Sequence, residues 1–278
     1  MTNTLPSLAV TGSTGFVGGA VAAQLAAAGI PLRLLVRDLA RAPKLAGAVA
    51  VESAYSDRDA AATALEGVET LLMISASENE RRRDEHFAFV DSAKRAGVAH
   101  IVYTSFVGAS PDSTFTLGRD HWATEQRIRE AGLAFTFLRD NFYADFMPMM
   151  MGEDGVIRGP AADGRAALVT RADVARVASA VLRDPAAHRN VTYNLTGPEA
   201  LSMAEVAAIL GGSFHNETLD EAYESRKKWG APGWQNDAWV STYTAIAVGD
   251  MAAVSSDVKR VTGTPAQSLH EHLAETKS

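Results

Sequence analysis

The sequence predicts an α/β chain: a doubly wound parallel sheet carrying a smaller α/β C-terminal lobe. Three observations point there. Short apolar runs alternate with longer helix-patterned stretches from residue 8 to about 146, the rhythm of consecutive βα units. Gly12, Gly15 and Gly18 stand between the first apolar run and the first helical stretch. From Met147 onward the rhythm loosens into turn signals, methionines and tryptophans. The expected division is residues 1–146 for the sheet domain and 147–278 for a substrate-binding lobe interleaved with it.

Leu8–Val10 reads as the first buried strand. Val21–Ala28 has helix-forming composition, and Gly29 sits where a helix stops. Leu32–Val36 is the next parallel strand. A strand, a glycine-rich turn, a helix and a second strand hold a dinucleotide pyrophosphate on the helix N-terminus. Gly12 permits the tight turn, Gly15 lets phosphate approach the backbone, and Gly18 lets helix and strand pack closely. The end of the second strand selects the dinucleotide. An acid there binds the ribose 2′-OH of NAD, and a cation binds the 2′-phosphate of NADP. This chain reads Val36-Arg37-Asp38. Arg37 offers a planar, permanently charged fork suited to phosphate. NADPH is therefore the expected cofactor, with NADH as the alternative.

Leu39–Ala46 reads as a short helix or loop, and Ala48–Glu52 as a third strand. Ser56-Asp57-Arg58-Asp59 caps a helix over Ala60–Leu65. Thr70–Ile74 is a fourth strand, running into Ser75, Ala76 and Ser77. Small residues at the C-terminal end of a central strand leave room for ribose or pyrophosphate. Asn79–Ala96 reads as a long helix with Phe87, Phe89, Val90 and Ala93 inward. Its Arg81-Arg82-Arg83 triplet reads as a solvated face. His100–Ser105 is the fifth strand, Gly118–Gly132 carries a helix, and Ala134–Arg139 is the sixth strand. The continuation Asp140–Phe146 is expected to reach over the nicotinamide end of the cofactor.

In the lobe, Met147, Met149, Met150 and Met151 surround Pro148. They suit core filling and an adaptable wall for a flat substrate equally. Ala166–Val169 reads as a strand, Thr170–Leu182 as a helix, and Val191–Leu195 as a strand. Ser202 caps a helix over Met203–Leu210. Trp229, Trp234 and Trp239 fall in the stretch Asn216–Val261, which suits a lid, a flat ligand or a contact between copies.

Composition sets outer bounds. The net charge of −7 argues against nucleic-acid binding. The absence of cysteine removes disulfides and thiolate catalysis. No apolar stretch is long enough to span a bilayer, and the N-terminus lacks signal-peptide character. A cytoplasmic, membrane-free protein is the expectation, and homodimerisation is left open.

Several stretches together resemble the NmrA-like group of atypical short-chain dehydrogenases. They are Thr11–Gly18, Leu34–Arg37, Leu71–Ser75, Ala96–Ser105, His121-Trp-Ala-Thr-Glu125 and Leu138-Arg139. Within the group the chain is most similar to the NADPH-dependent quinone oxidoreductase and triphenylmethane reductase type, from residue 8 to about 210. The resemblance implies a Rossmann fold, a small C-terminal lobe and NADP(H) binding. It carries the phosphate loop onto Gly12, Ser13, Thr14, Gly15, Phe16 and Val17, and the 2′-phosphate cation onto Arg37. It carries the loop after the fourth strand onto Ser75–Ser77, the nicotinamide-side segment onto Asn141, Phe142 and Tyr143, and a Thr-Arg step onto Thr170-Arg171.

Two departures stand out. Ordinary short-chain dehydrogenases use a Tyr-x-x-x-Lys pair, with Lys lowering the Tyr pKa. The matching stretch here is Leu117-Gly-Arg-Asp-His121, so both members are absent. An Asp often found before the third-strand turn is Ala54, leaving adenine to Tyr55, Asp57 or backbone. The missing acid suits an oxidoreductase whose quinone or flat aromatic acceptor takes hydride readily. His121 is then the candidate proton donor, and Ser105 and Tyr143 are candidates to hydrogen-bond the accepting oxygen. The alternatives are a non-catalytic NADP(H)-sensing regulator and a ketoreductase tailoring an aromatic polyketide.

Overall fold

The computed structural model describes residues 5–276. Its first half alternates strands and helices: β1 (Leu8–Thr11), α1 (Phe16–Ala27), β2 (Leu32–Val36), β3 (Ala48–Glu52), α2 (Arg58–Leu65), β4 (Thr70–Met73), α3 (Arg82–Arg95), β5 (His100–Phe106), α4 (Thr116–Glu130) and β6 (Ala134–Asp140). There follow α5 (Met147–Met150), β7 (Val156–Gly159), β8 (Arg165–Ala166), α6 (Arg171–Arg183), β9 (Val191–Leu195), β10 (Leu201–Ser202), α7 (Met203–Ile209) and β11 (Ser213–Asn216). Four helices close the described chain: α8 (Leu219–Arg226), α9 (Gly233–Ala247), α10 (Asp257–Thr262) and α11 (Leu269–Thr276).

Seven strands form one sheet in the order β3-β2-β1-β4-β5-β6-β9. The pairs β1–β2, β2–β3, β1–β4 and β4–β5 are all parallel. Chain order reverses at β1, between β2 and β4. That is the switch point beyond which open α/β sheets bind ligands at their carboxyl edge. The expected doubly wound sheet is thus present. Helix α1 begins at Phe16, earlier than composition indicates, because Val17, Val21 and Leu25 are buried along it. Leu39–Arg41 forms one 3₁₀ turn. Asp57 caps α2 by accepting the Ala60 amide at 3.0 Å, as its N-cap character predicts.

One residue defies the apolar reading of β2. Arg33 is 1% exposed on an interior strand. It donates to the carbonyls of Ala64 at 2.6 Å, Glu66 at 2.9 Å and Pro6 at 3.1 Å. Two of those carbonyls lie at the C-terminus of α2, where the helix dipole is negative. The cation thus caps carbonyls that the helix itself leaves without an amide partner.

The chain forms two compact units. One comprises the chain through Ser105, Ala123–Leu138 and Val174–Tyr193. Its core holds Leu65, Leu71, Phe89, Ile101, Tyr103 and Phe137, all fully buried. The other comprises Phe106–Trp122, Arg139–Asp173 and the chain from Asn194 onward. Its core holds Met147, Ile157, Met203, Tyr243 and Ile246. Met149 by contrast is 73% exposed, so the methionine cluster divides between core and surface.

In the second unit only Ala166 of the predicted strand Ala166–Val169 lies in β8, a strand of two residues. The stretch is extended but shares its partners out. Ala167 donates to Met251 and Val169 to Phe142, at 2.9 and 3.0 Å, so no continuous ladder forms. Ser202 caps α7 in a reciprocal capping box with Glu205. Beneath α8, Arg226 and Glu217 form an ion pair at 3.0 Å with side chains only 5% and 3% exposed. The Arg226 guanidinium also lies 5.3 Å from the Tyr243 ring. Trp229 and Trp239 meet edge to face at 5.6 Å.

Candidate functional site

The turn after β1 is built for an anion. Gly12 takes a left-handed φ of +65°, and its carbonyl accepts the Gly15 amide at 2.9 Å. A Cβ on Gly18 would sit 2.4 Å from the Gly12 oxygen, so only glycine lets α1 start so close to β1. Gly15 occupies the N-cap without any side-chain cap, and no acid lies in the first turn. The positive dipole end of α1 is therefore offset by neither a side-chain cap nor an acid. Ser13 is 3% exposed, and its buried Oγ has no hydrogen-bond partner. A phosphate oxygen in the turn would satisfy it, so these residues fit a dinucleotide pyrophosphate. Thr14, Gly15 and Phe16 are exposed beside it, and Val17 is buried beneath.

Arg37 follows β2. Its neighbour Asp38 is occupied, its carboxylate accepting the Ala40 amide at 2.9 Å to cap the 3₁₀ turn. Arg37 itself is exposed and has no hydrogen-bond or ion-pair partner among the described residues. A guanidinium left open at this strand end matches a 2′-phosphate.

Ser75–Ser77 follows β4, and buried side chains hold its backbone from three sides. Ser75 donates its amide to Thr104 Oγ1 at 2.8 Å. Ala76 donates its amide to His86 Nε2 at 2.9 Å, while Arg82 Nε donates to the Ala76 carbonyl at 2.9 Å. With Nε2 accepting, His86 carries its proton on Nδ1 and donates it to Thr124 Oγ1 at 2.9 Å. Burial, aided by the Arg82 cation, holds the His86 pKa well below the ordinary histidine value, so the ring stays neutral. Arg82 is 4% exposed, so the middle arginine of the triplet is buried and not part of a solvated face. It opens α3, and the loop lies within reach of its guanidinium. Just upstream, the Tyr55 hydroxyl donates to the Ile74 carbonyl at 2.6 Å and lies 2.7 Å from Thr11 Oγ1. That hydroxyl ties the ends of β1 and β4 together.

Ser105 ends the first unit's share of β5. It is 2% exposed, and its Oγ donates to Glu125 Oε1 at 2.6 Å. Its oxygen lone pairs are what it can offer beyond that bond.

In the second unit, His121 is 6% exposed and its ring lies 6.1 Å from that of Phe106. Asn141 is 1% exposed. Its amide works on the backbone, Nδ2 donating to Met251 and Oδ1 accepting from Phe142, at 2.9 and 2.8 Å. It fixes the course of the segment that carries Phe142 and Tyr143. Arg171 Nε donates to Asp145 Oδ1 at 2.9 Å and its backbone amide to Oδ2 at 2.9 Å, so one carboxylate both caps α6 and pins the side chain. The guanidinium stands 5.3 Å from the Phe146 ring. Phe142, Tyr143 and Arg171 are thus gathered around one segment, since Tyr143 bridges to Val169, two residues before Arg171.

Tyr143 has a further partner. Its hydroxyl donates to Asp140 Oδ2 at 2.6 Å. Asp140 is 3% exposed, and its Oδ1 has no hydrogen-bond partner. Burial pushes the Asp140 carboxyl up to about 8, although the Tyr143 bond acts the other way. Burial and the two carboxylates Asp140 and Asp145 hold the Tyr143 phenol well above its ordinary value, with Arg171 opposing. Sequence reasoning missed Asp140, Glu125 and His86 as site members. A helical pattern marks apolar inward positions, and gives no sign that His86 and Glu125 are also turned inward.

The carboxyl-edge turn, the open Arg37 and the braced Ser75–Ser77 loop define a dinucleotide-binding Rossmann protein. The chain belongs to the NmrA-like family, whose model matches residues 6–222. It is 33% identical over 274 residues to an NAD(P)H azoreductase of Xenophilus azovorans, covering 94% of this chain and 95% of that one. It is 32% identical to quinone oxidoreductase 2 of Escherichia coli (strain K12), covering 96% of this chain and 97% of that one. Among solved structures, the Escherichia coli NADPH-dependent quinone oxidoreductase complexed with NADPH superposes with a TM-score of 0.88 at 30% identity, covering 98% and 100% of the two chains. Citrobacter triphenylmethane reductase complexed with NADP(H) gives a TM-score of 0.84 at 30% identity, covering 96% and 99%. The transcriptional regulator NmrA shares the fold, at 16% identity, a TM-score of 0.74 and coverage of 97% and 95%.

Proposed function

We propose that the chain is an NADPH-dependent oxidoreductase acting on a small molecule, a quinone or another flat aromatic acceptor. The observation that carries the reading is Arg37, a guanidinium unpartnered among the described residues at the end of β2, on a chain similar over nearly its whole length to an NAD(P)H azoreductase and an NADPH-dependent quinone oxidoreductase. The likeness to the regulator is one of fold alone.

Bound NADPH supplies the hydride. The chain's own groups do the rest. The α1 amides and Ser13 Oγ hold the pyrophosphate, Arg37 holds the 2′-phosphate, and the fixed Ser75–Ser77 backbone forms a firm wall beside them. The Tyr-x-x-x-Lys pair is absent, so proton delivery falls to another group. Tyr143 is our candidate donor to the accepting atom. Ser105, with its proton on Glu125, would orient and not protonate. His121, with its ring 6.1 Å from that of Phe106, is the second candidate donor. Among the described residues no helix is long and apolar enough to cross a membrane.

The test is NADPH oxidation against benzoquinones, naphthoquinones, azo dyes and aromatic ketones, with NADH in parallel. Turnover with quinones or azo dyes, faster with NADPH, supports the reading. Tight NADPH binding with no turnover on any acceptor removes it in favour of the regulator class.

A further inference from the structure

The Asp140–Tyr143 pair carries more than a structural contact. A buried ionised carboxylate has about four lone-pair sites to satisfy, and an unpaired buried charge is costly. Asp140 receives one side-chain donor, Tyr143, on Oδ2, and its Oδ1 receives none. Asp145 is the other carboxylate acting on Tyr143, and Arg171 is already engaged by Asp145. No cation neutralises Asp140 itself among the groups that perturb it, which are burial and Tyr143 alone. This environment favours the neutral acid.

We propose that Asp140 is a buried proton store that sets the direction of the Tyr143 hydroxyl and refills it during reduction. This rests on the oxidoreductase reading, and it adds a positioning residue to it. With Asp140 protonated, the carboxylic O–H donates to Tyr143 Oη, and the phenol O–H is left to point at the acceptor. As hydride brings two electrons to the acceptor, its oxygen or nitrogen gains negative charge and takes the Tyr143 proton. The Asp140 proton passes to Tyr143 Oη, and the carboxylate recovers a proton from solvent. The balance is one acceptor, one NADPH and one proton in, and one reduced acceptor and one NADP⁺ out. With Asp140 ionised, the phenol must donate to the carboxylate and is lost to the acceptor. Burial lifts the carboxyl to about 8, so the store is filled at neutral pH and drained above it. The buried, unpartnered Oδ1 gives the same answer by geometry.

Two measurements test this. The first is the pH profile of kcat with saturating NADPH and quinone. The wild-type rate falls with one proton as pH rises through about 8. In Asp140→Asn that alkaline limb disappears, and the neutral-pH rate drops about 10-fold. A merely structural role lowers the rate at every pH and leaves the limb in place, which overturns the proposal. The second uses the cofactor-free protein. An infrared titration reads the protonated-carboxyl band, expected to vanish near 8 and to be missing in Asp140→Asn. In Tyr143→Phe the midpoint rises, because the bond that favours the ionised form is gone. A midpoint in the ordinary carboxylate range overturns the proposal. Absence of turnover with every acceptor sinks the oxidoreductase reading instead, and the infrared midpoint still reads Asp140.

Discussion

His86 Nε2 accepts the backbone amide of Ala76 at 2.9 Å, from a ring that is wholly buried. A neutral imidazole thus positions the loop at the end of β4. His86→Leu strands that amide, at a cost of about 1–3 kcal/mol. NADPH affinity is expected to fall about 10-fold by fluorescence titration, with His86→Gln recovering part of it through its own acceptor oxygen. Unchanged affinity in His86→Leu would detach the loop from the cofactor.

Arg37 should discriminate between the two nicotinamide cofactors. Losing a charge-assisted contact to phosphate costs about 1.5–3 kcal/mol. Arg37→Ala should therefore weaken NADPH about 10- to 100-fold and leave NADH nearly untouched. Calorimetric titration with both cofactors measures the ratio, and equal losses would remove the 2′-phosphate assignment.

Acid should destabilise the protein through two buried histidines. His86 is held well below 6.5 by burial. His100 is lowered to about 4, by burial first and then by the Arg189 cation. In each case the folded pKa lies below the unfolded one. The unfolded chain therefore takes the proton first as pH falls. Stability from both groups is complete above the ordinary value of 6.5 and falls as pH drops below it, the His100 share being lost toward about 4. Urea melts across that window should show it, and His100→Gln should flatten the slope by about one proton.

The Arg226–Glu217 pair gives a stability test away from the cofactor. Both side chains are buried, so Glu217→Ala leaves an uncompensated cation at a cost of about 3–5 kcal/mol. Glu217→Gln, which keeps an acceptor oxygen, should cost less. Thermal melts of the two variants rank them, and near-equal losses would mean that packing and not charge sets the cost.

Much of the sheet was legible because period and punctuation agree there. The runs that became β1, β2, β3, β4, β5, β6 and β9 are short, apolar and bounded by glycine or polar turns. The glycine turn and Arg37 were legible because their chemistry depends on local spacing. Ala166–Val169 was misread because its backbone partners, Met251 and Phe142, are scattered along the chain. Arg33, Arg82 and His86 were not legible as buried groups. Each bonds to backbone carbonyls or an amide that the folded chain brings to it, from 6 to 31 positions away, and side-chain periodicity does not encode such a partner. The Asp140–Tyr143 contact spans only three positions, but its meaning comes from burial, which periodicity alone does not give.

The small knot of hydroxyls joining Thr11, Tyr55 and Ile74 bears on the tempo of the enzyme. A reductase of this kind must shed a spent carrier and seat a fresh one in every cycle. A floor that had to melt and re-form each time would impose its own clock. Here the chain's own hydroxyls and backbone fasten the ends of β1 and β4 together, so the ordering cost falls on folding and not on binding. Exchange of carriers can then run at the pace of diffusion and release, with the floor unmoved.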